Sequence, residues 1–333
     1  MRAAPFALAA CLLAAPAFAN DSTAELGAGG LAYVTTEAVQ MKSEDLFISM
    51  DEVRVRYAFE NVSDQDVTSL VAFPMPDIKG DVDFMESVPV DDPLNFLGFR
   101  TTVDGQPVEA SVQQRVTSLG IDQTAYLTSL GIPLAPQNPA TRAALDKLPP
   151  EKWEELIHLG LVAVDEFDQG QGWEKHLAPM WLLQTAYYWQ QTFPAKKTLI
   201  VEHIYKPSVG MTSGVTFASP ESRKEAFFQD YERKYCIDKA FLAATDKVMG
   251  QGSGSDYMME HRLDYILTTA ANWAGSISKF HLTVDKGAAA NLVSFCGDGV
   301  KKTGPTTFEL SADDYYPEKD LHILILARPE TTP

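Results

Sequence analysis

Histidine is the residue type in this sequence best suited to hold a metal ion or to act as a general base. The chain has six, namely His158, His176, His203, His261, His281 and His322. The last four lie in predicted strands, and side chains from neighbouring strands could surround a zinc ion. However, no two histidines have the spacing of a local ligand pair, and polar positions on half-buried strands explain them more simply. We therefore predict no metal-binding residues.

The local sequence patterns of common hydrolases are missing from the chain. It contains no Gly-x-Ser-x-Gly elbow, no His-Glu-x-x-His helix and no glycine-rich phosphate loop. A serine nucleophile needs a base and an orienting group that meet only in the folded chain. The sequence therefore assigns no catalytic residue, and we expect no cofactor.

Carboxylates cluster at Asp81 and Asp83, at Asp91 and Asp92, and over residues 313–320. Calcium takes six to eight oxygen ligands, commonly from aspartate-rich loops. The Asp-x-Asp-x-Asp-Gly loop is absent, however, and the chain as a whole is acidic. A solvated surface is the simpler interpretation of these clusters.

Aromatic residues are concentrated between Trp181 and Phe193. In an extended strand Tyr187, Trp189 and Phe193 share one face. Such a face could stack on sugar rings or bind a protein partner. A strand covered by a packed layer would have the same sequence, and core packing is the simpler interpretation.

The first 19 residues resemble a secretory signal. Arg2 precedes a run of small apolar residues, and Ala17-Phe18-Ala19 fits a cleavage site, so we expect cleavage between Ala19 and Asn20. Cys11 also follows a small-residue pattern typical of lipid attachment. The apolar run continues past Cys11, whereas a lipidated cysteine is normally followed by a polar tether, so lipidation is the less favoured alternative.

Removal of the signal leaves two cysteines, Cys236 and Cys296. In an oxidising compartment such a pair predicts one structural disulfide. No Cys-x-x-Cys spacing supports a redox-active pair.

The formal net charge of the chain is −18 at pH 7. Nucleic-acid affinity depends on lysine and arginine neutralising phosphates, so nucleic acid is excluded as an expected partner. A bilayer-spanning helix needs about 20 apolar residues, and no stretch after Asn20 qualifies. We expect a periplasmic or secreted protein of a Gram-negative bacterium.

Residues 51–76 define the architecture better than any other stretch. Val53, Val55, Tyr57 and Phe59 alternate with charged residues, which is the period of a half-buried strand. Turn-forming residues follow over 61–66, and a second strand ends at a Phe-Pro-x-Pro sequence. We interpret this region as a hairpin that enters a β-sandwich.

The fold class that we predict is mainly β with helical insertions, built as an antiparallel β-sandwich of the immunoglobulin-like class. Helix-start signals at Asn138-Pro139 and at Pro149-Pro150 interrupt the strands, as does a second helical stretch. A Gly/Ser joint follows over 251–255. The predicted segments are a signal peptide over 1–19, the first part of the sandwich over 20–117, a helical insertion over 118–178, strands that complete the sandwich over 179–218, a helical segment over 219–250 and a C-terminal β region over 251–333.

Several short stretches together resemble an uncharacterised family of exported bacterial proteins, a domain-of-unknown-function family. The stretches are residues 20–25, 43–46, 73–78, 285–287 and 294–297. The resemblance covers essentially the whole chain after the signal and implies no activity. Residues 53–76 are also similar to the vault and inter-alpha-trypsin type of β domain, which favours the immunoglobulin-like class.

The function that we predict is a non-catalytic, exported β-sandwich protein that acts by binding or assembly in the bacterial envelope. An envelope protein or a glycan could be its partner. One alternative is a periplasmic hydrolase with a site between the sandwich and the helical insertion. The other is a carbohydrate-binding module that uses the Trp189 face.

Overall fold

The computed structural model describes residues 20–27, 30–82, 85–168, 170, 172–250 and 258–329, with the backbone alone at 85 and 86. The predicted signal at 1–19 and the Gly/Ser joint at 251–255 lie outside the described residues.

Strands dominate the described chain. In chain order they are β1 (Ser22–Gly27), β2 (Gly30–Val34), β3 (Val39–Ile48), β4 (Val53–Asn61), β5 (Val67–Pro74), β6 (Ile78–Lys79), β7 (Met85–Glu86), β8 (Arg100–Val103), β9 (Gln106–Val108), β10 (Ser111–Ser118), β11 (Ile121–Asp122), β12 (Val162–Asp168), β13 (Trp173–Pro179), β14 (Leu182–Phe193), β15 (Thr198–Tyr205), β16 (Gly210–Thr212), β17 (Met259–Tyr265), β18 (Ile277–Asp285), β19 (Leu292–Phe295), β20 (Lys301–Lys302), β21 (Thr307–Tyr315) and β22 (Leu321–Ala327).

The helices of the described residues are fewer than the strands. They are α1 (Thr124–Ser129), α2 (Pro139–Leu145), α3 (Pro150–His158), α4 (Ala226–Tyr235) and α5 (Lys239–Gly250), with 3-10 turns at Ser222–Lys224 and Thr268–Asn272. No helix in the described part of the chain is long and apolar enough to span a bilayer.

The strands form three sheets and one separate hairpin. Sheet I has the order β11-β10-β14-β5-β1-β2, with β6 added to β14; sheet II has the order β20-β21-β18-β3-β4-β15-β8-β9; and sheet III has the order β19-β22-β17-β16-β7. The pairings are antiparallel except that β18 runs parallel to β3. The predicted fold class, mainly antiparallel β with helical insertions, is confirmed.

The hairpin predicted over residues 51–76 is wrong, although both of its strands exist. β4 pairs with β3 and β15 in sheet II, whereas β5 pairs with β1 and β14 in sheet I. Residues 62–66 therefore cross between the two layers. Because the apolar faces of β4 and β5 lie in opposite sheets, both can be buried in the core between them.

A second crossing lies beside the first. β14 ends at Phe193 in sheet I and β15 begins at Thr198 in sheet II. The Asn61 side-chain amide donates to the carbonyls of Phe193 at 2.7 Å and of Gln65 at 2.8 Å, which joins the two crossings. Phe193-Pro194 thus ends β14 at the crossing, whereas Phe73-Pro74 ends β5 at the opposite end of that strand from the crossing.

A tight turn at Asp104-Gly105, a residue pair typical of two-residue hairpin loops, joins β8 and β9. Both residues have positive φ, at 48° and 76°, as a two-residue hairpin turn of this kind requires.

The first helical insertion differs from its predicted extent. Helices α1 to α3 occupy only its first part, and β12 and β13 pair over Val162–Pro179. The alternation of burial along β12 has a period of two, so these residues form a ribbon rather than a helix. The helix starts agree with the sequence: Asn138 caps α2 by accepting from the Ala140 N–H at 2.8 Å, and Pro139 and Pro150 open α2 and α3.

Candidate functional site

The aromatic residues that sequence placed on one face of β14 lie in the core. Tyr187, Trp189 and Phe193 are 1%, 4% and 1% exposed. The Trp189 ring meets the His203 ring edge-on at 5.4 Å, and Phe193 packs near Trp273. These three side chains pack between layers and offer no surface to a glycan.

Four of the histidines, His176, His203, His281 and His322, pair with carboxylates at four separate places rather than gathering at one. His203 Nε2 lies 3.1 Å from Asp21 Oδ1 in the core, and His281 and His322 pair with Asp45 and with Asp264 near the surface. Among the described residues no group of three or more His, Cys, Asp or Glu side chains is arranged to hold a metal ion.

The seam that the hydrolase hypothesis requires is apolar. Where the helical insertion meets sheet I, buried leucines such as Leu127, Leu156 and Leu177 form part of the core. His176 lies in this insertion, and its Nδ1 is 3.1 Å from Asp146 Oδ2. Within the described chain its other polar neighbour is Glu174, at 3.7 Å, and no hydroxyl nucleophile is bonded to the ring.

A polar cleft instead lies where sheet III and α4 meet the segment after β5. We call it the junction cleft. It consists of two pockets of about 110 and 350 Å³ that share Lys234, Tyr235 and Arg262. Residues of the segment 76–81 form the opposite wall. The Phe-Pro-Met-Pro-Asp-Ile stretch recognised in the sequence therefore leads directly into this cleft.

Arg262 is held in the cleft wall by a buried carboxylate. Glu260, which is 0% exposed, accepts hydrogen bonds from the Thr216 N–H at 2.6 Å, the Thr216 hydroxyl at 2.7 Å and the Tyr231 hydroxyl at 2.6 Å. Arg262 Nη1 lies 3.3 Å from the same carboxylate and 3.4 Å from the Tyr231 oxygen. A buried charge is stable only when it is paired and hydrogen-bonded, and this carboxylate satisfies both conditions.

A second ion pair borders the same cleft. Lys234 Nζ lies 3.4 Å from Asp264 Oδ2, and His322 Nδ1 lies 2.7 Å from Asp264 Oδ1. Burial acts to raise the pKa of Asp264, but the hydrogen bond from His322 and the charge of Lys234 hold it below its usual value. Asp264 therefore stays ionised and keeps Lys234 and His322 in place.

The tyrosines of the cleft remain protonated at any ordinary pH. Burial, with the nearby carboxylates Glu260 and Asp264, raises the pKa values of Tyr231 and Tyr235 well above 10. They therefore act as hydrogen-bond donors and as apolar walls, not as bases.

The disulfide fixes the end of α4 that lines the cleft. Cys236 follows Tyr235 directly, adopts a left-handed backbone with φ of 50°, and is bonded to Cys296. Ser294 Oγ also donates to the Tyr235 carbonyl at 2.9 Å. The predicted pairing of Cys236 with Cys296 is confirmed, and it ties the cleft to the edge of sheet III.

A larger and more open pocket of about 640 Å³ lies on the outer face of sheet II. Arg54, Arg56 and Arg100 contribute to it. Arg54 lies over the Phe47 ring at 4.4 Å, and Arg56 pairs with Glu202 at 3.6 Å. No buried carboxylate holds these exposed side chains, so they are less preorganised than Arg262.

Sequence reasoning missed the junction cleft, although a signal existed. Glu260, Arg262 and Asp264 alternate along β17 and must therefore share one face. Three charged residues on one face of a strand flanked by apolar partners indicate a polar contact at that face. The element that makes this contact is α4. Because α4 is distant from β17 in sequence, the strand pattern alone does not identify it.

Comparisons with known proteins give a family and remote structural likenesses. A family model described as a domain of unknown function (DUF4424) matches residues 19–324. No curated protein matches the sequence.

The solved structures that match include a Legionella pneumophila protein provisionally described as a nutrient binding protein. The identity is 14%, the TM-score is 0.44, and the match covers 93% of this chain and 70% of that one. A likeness this remote does not indicate a ligand for this chain.

Proposed function

Because the chain belongs to the DUF4424 family, whose description names no activity, we propose its function from the site: it is an exported, non-catalytic protein of the bacterial envelope that binds an anionic ligand in the junction cleft. The proposal includes cleavage of the signal before Asn20 and residence in the periplasm or outside the cell.

The observation that carries the proposal is the anchoring of Arg262 by buried Glu260. A guanidinium that is already held in place loses little freedom on binding and offers planar donors suited to carboxylate or phosphate. Lys234 adds a second positive charge at the same cleft. Lys79 also lines the cleft, and so do the carboxylates Asp77, Asp81 and Asp264. The anchored guanidinium of Arg262 and the ammonium of Lys234, rather than an excess of positive charge, are therefore the groups that would meet an anion.

Apolar walls indicate that the anion also carries a ring or short hydrocarbon group. The larger of the two pockets in the junction cleft is lined by Phe227, Tyr231 and Tyr235. Pockets for small ligands combine such walls with a few placed polar groups. A small aromatic anion therefore suits the cleft better than a bare inorganic ion.

Isothermal titration calorimetry with phenyl phosphate tests the proposal, with benzyl alcohol as the neutral control. We expect phenyl phosphate to bind with a Kd of about 1 mM or tighter and benzyl alcohol to show no saturable binding. Lys234→Gln and Arg262→Met should each raise the Kd about tenfold, since each removes a charge-assisted contact. Arg56→Gln, on the outer face of sheet II, should leave it unchanged.

Two results would contradict the assignment of anion binding to the junction cleft. One is the absence of binding by phenyl phosphate up to solubility. The other is an equal loss of affinity in Arg56→Gln, which would assign binding to the outer face of sheet II. The ion pair of Lys234 with Asp264 is partly exposed and contributes little to stability. Lys234→Gln should therefore fold normally, so a loss of affinity in this variant would report on binding.

The hydrolase alternative has its own test. The His176–Asp146 pair is the feature that would support it, and generic ester, glycoside and peptide substrates are the probes. Turnover that His176→Ala abolishes would overturn the non-catalytic part of the proposal.

The buried position of Trp189 supports binding in the cleft over the carbohydrate-binding alternative. We expect envelope glycans to leave the tryptophan fluorescence of the protein unchanged.

A further inference from the structure

The first described residues of the chain lie in the interior of the molecule. Asn20, Asp21, Ser22 and Thr23 are 0%, 0%, 0% and 2% exposed. Chain termini normally lie at the surface and are poorly ordered unless they are tied down. A polar segment at this depth needs a partner for every polar group.

Asn20 has such partners from three separate parts of the chain. Its backbone N–H donates to Thr269 Oγ1, and its carbonyl accepts from the same hydroxyl at 2.6 Å. Its side-chain oxygen accepts from the Tyr57 hydroxyl, and its side-chain nitrogen donates to Glu44 Oε2 at 3.0 Å. Every polar group of this residue is therefore bonded inside the core.

Asp21 is bonded through one carboxylate oxygen and its backbone carbonyl, whereas its Oδ2 has no hydrogen-bond partner among the described residues. Its carboxylate meets His203 Nε2 at 3.1 Å, and its carbonyl accepts from Trp273 Nε1 at 2.5 Å. Strands β3, β4 and β15 of sheet II and the 3-10 turn at Thr268–Asn272, with Trp273 after it, thus close around two residues.

Glu44 is the unbalanced charge of this cluster. It is 1% exposed, and its partners are the Asn20 side chain and the Tyr265 hydroxyl, at 3.4 Å. Within the described residues no lysine, arginine or histidine contacts it. While the Asn20 nitrogen is a peptide amide, burial raises the pKa of Glu44 to about 8, with a contribution from the charge of Asp21.

We propose that cleavage of the Ala19–Asn20 bond completes the core: the new α-ammonium of Asn20 remains buried beside Glu44 and is its counter-ion. Water, delivered by a signal peptidase, adds across the peptide bond. Ala19 leaves with the new carboxylate, and the Asn20 amine takes up a proton. An ammonium has three N–H donors where the amide had one, so it can keep Thr269 and also serve Glu44.

The inference rests on the export part of the proposed function and not on the junction cleft. Loss of ligand binding would leave it standing. N-terminal sequencing of the protein exported from the native host tests its premise, and a mature chain that begins at any residue other than Asn20 would overturn it.

Chemical labelling tests the burial directly on the mature chain. An exposed α-amine has a pKa of about 8 and reacts with acetylating reagents faster than lysine near neutral pH. We expect the Asn20 amine to react at least about tenfold more slowly in the folded protein than in urea. Equal rates in the two states would overturn the proposal.

A chain extended to begin at Ala17 tests whether the positive charge of the Asn20 α-ammonium stabilises the fold. Fusions cut to leave either Ala17 or Asn20 as the first residue give two proteins that differ in whether the Asn20 nitrogen is an amide or an ammonium. At pH 8 the extended form should unfold about 5 °C or more below the mature form. Glu44→Gln should remove most of that difference, because no buried carboxylate then needs a counter-ion.

A difference that persists unchanged in the Glu44→Gln pair would assign the effect to the steric bulk of the extra residues and overturn the ion pair. If the extended form does not fold at all, the labelling experiment on the mature chain still decides the outcome.

Discussion

Glu44 makes the extended chain sensitive to pH in a predictable direction. Its pKa is about 8 in the fold against 4.5 for an ordinary glutamate, so the folded state binds the extra proton. The stabilising contribution is complete below about pH 4.5 and is lost as the pH rises through about 8. Asp21, Tyr57, Tyr265 and Tyr315 are the titratable groups that interact with it among the described residues.

We therefore expect the unfolding temperature of the chain that begins at Ala17 to fall as the pH rises from about 5 to 8. Glu44→Gln should flatten this dependence, as measured by calorimetry over that range. A profile that is equally steep in Glu44→Gln would assign the effect to another group.

Tyr231 tests the network that positions Arg262. Tyr231→Phe removes one of the donors to buried Glu260 and should lower the free energy of unfolding by about 1 to 3 kcal/mol. Urea denaturation measures this. Tyr316→Phe is the matched control, because Tyr316 is 57% exposed and should change stability little.

The roles of individual residues could be predicted from the sequence where one local rule was enough. Cys236 and Cys296 were the two cysteines left after the signal, so their pairing followed from counting. Glu260 and Arg262 carry no local motif, because their chemistry depends on Tyr231 and Thr216 from other elements.

At the scale of elements, the disulfide holds the end of α4 against sheet III. Cys236→Ser with Cys296→Ser opens a loop with a sequence separation of 60 residues and should cost about 2 to 4 kcal/mol of unfolding free energy. The affinity for phenyl phosphate should also fall, since Lys234 and Tyr235 immediately precede Cys236. Affinity equal to that of the native protein would show that α4 is positioned without the bond.

Gly80, which follows β6 directly, lies close to the end of β13. A Cβ at this position would lie 2.3 Å from the Pro179 carbonyl oxygen, which belongs to the backbone and cannot turn aside. Gly80→Ala should therefore destabilise the protein by about 1 to 3 kcal/mol. Gly250→Ala, where a Cβ meets no atom within 4 Å, is the control and should be nearly neutral.

The positions of the strands were easier to predict than the neighbouring strands with which they pair. The alternation of Val53, Val55, Tyr57 and Phe59 located β4 correctly, because burial on one face leaves a period of two in the sequence. The same pattern is compatible with a hairpin or with a crossing between sheets. Which one forms depends on long-range pairing with β14 and β15.

At the scale of the whole molecule, residues 20–23 join sheets I and II and the turn at Thr268–Asn272. A chain that begins at Ala24 lacks the partners of Glu44, Tyr57 and His203, and leaves buried polar groups unsatisfied. We expect it to lose the near-ultraviolet circular dichroism of packed aromatic residues at 25 °C. The chain that begins at Asn20 is the control, and native-like dichroism in the shorter chain would contradict the prediction.

The parallel pairing of β3 with β18 has a consequence for folding speed. It brings Asp45 against His281, 236 residues later in the chain, so sheet II cannot close until nearly the whole polypeptide is available. Proteins dominated by such non-local contacts fold slowly. A newly exported chain would thus remain open at its amino end while the rest is still being delivered, which gives a peptidase time to cut before that end is enclosed.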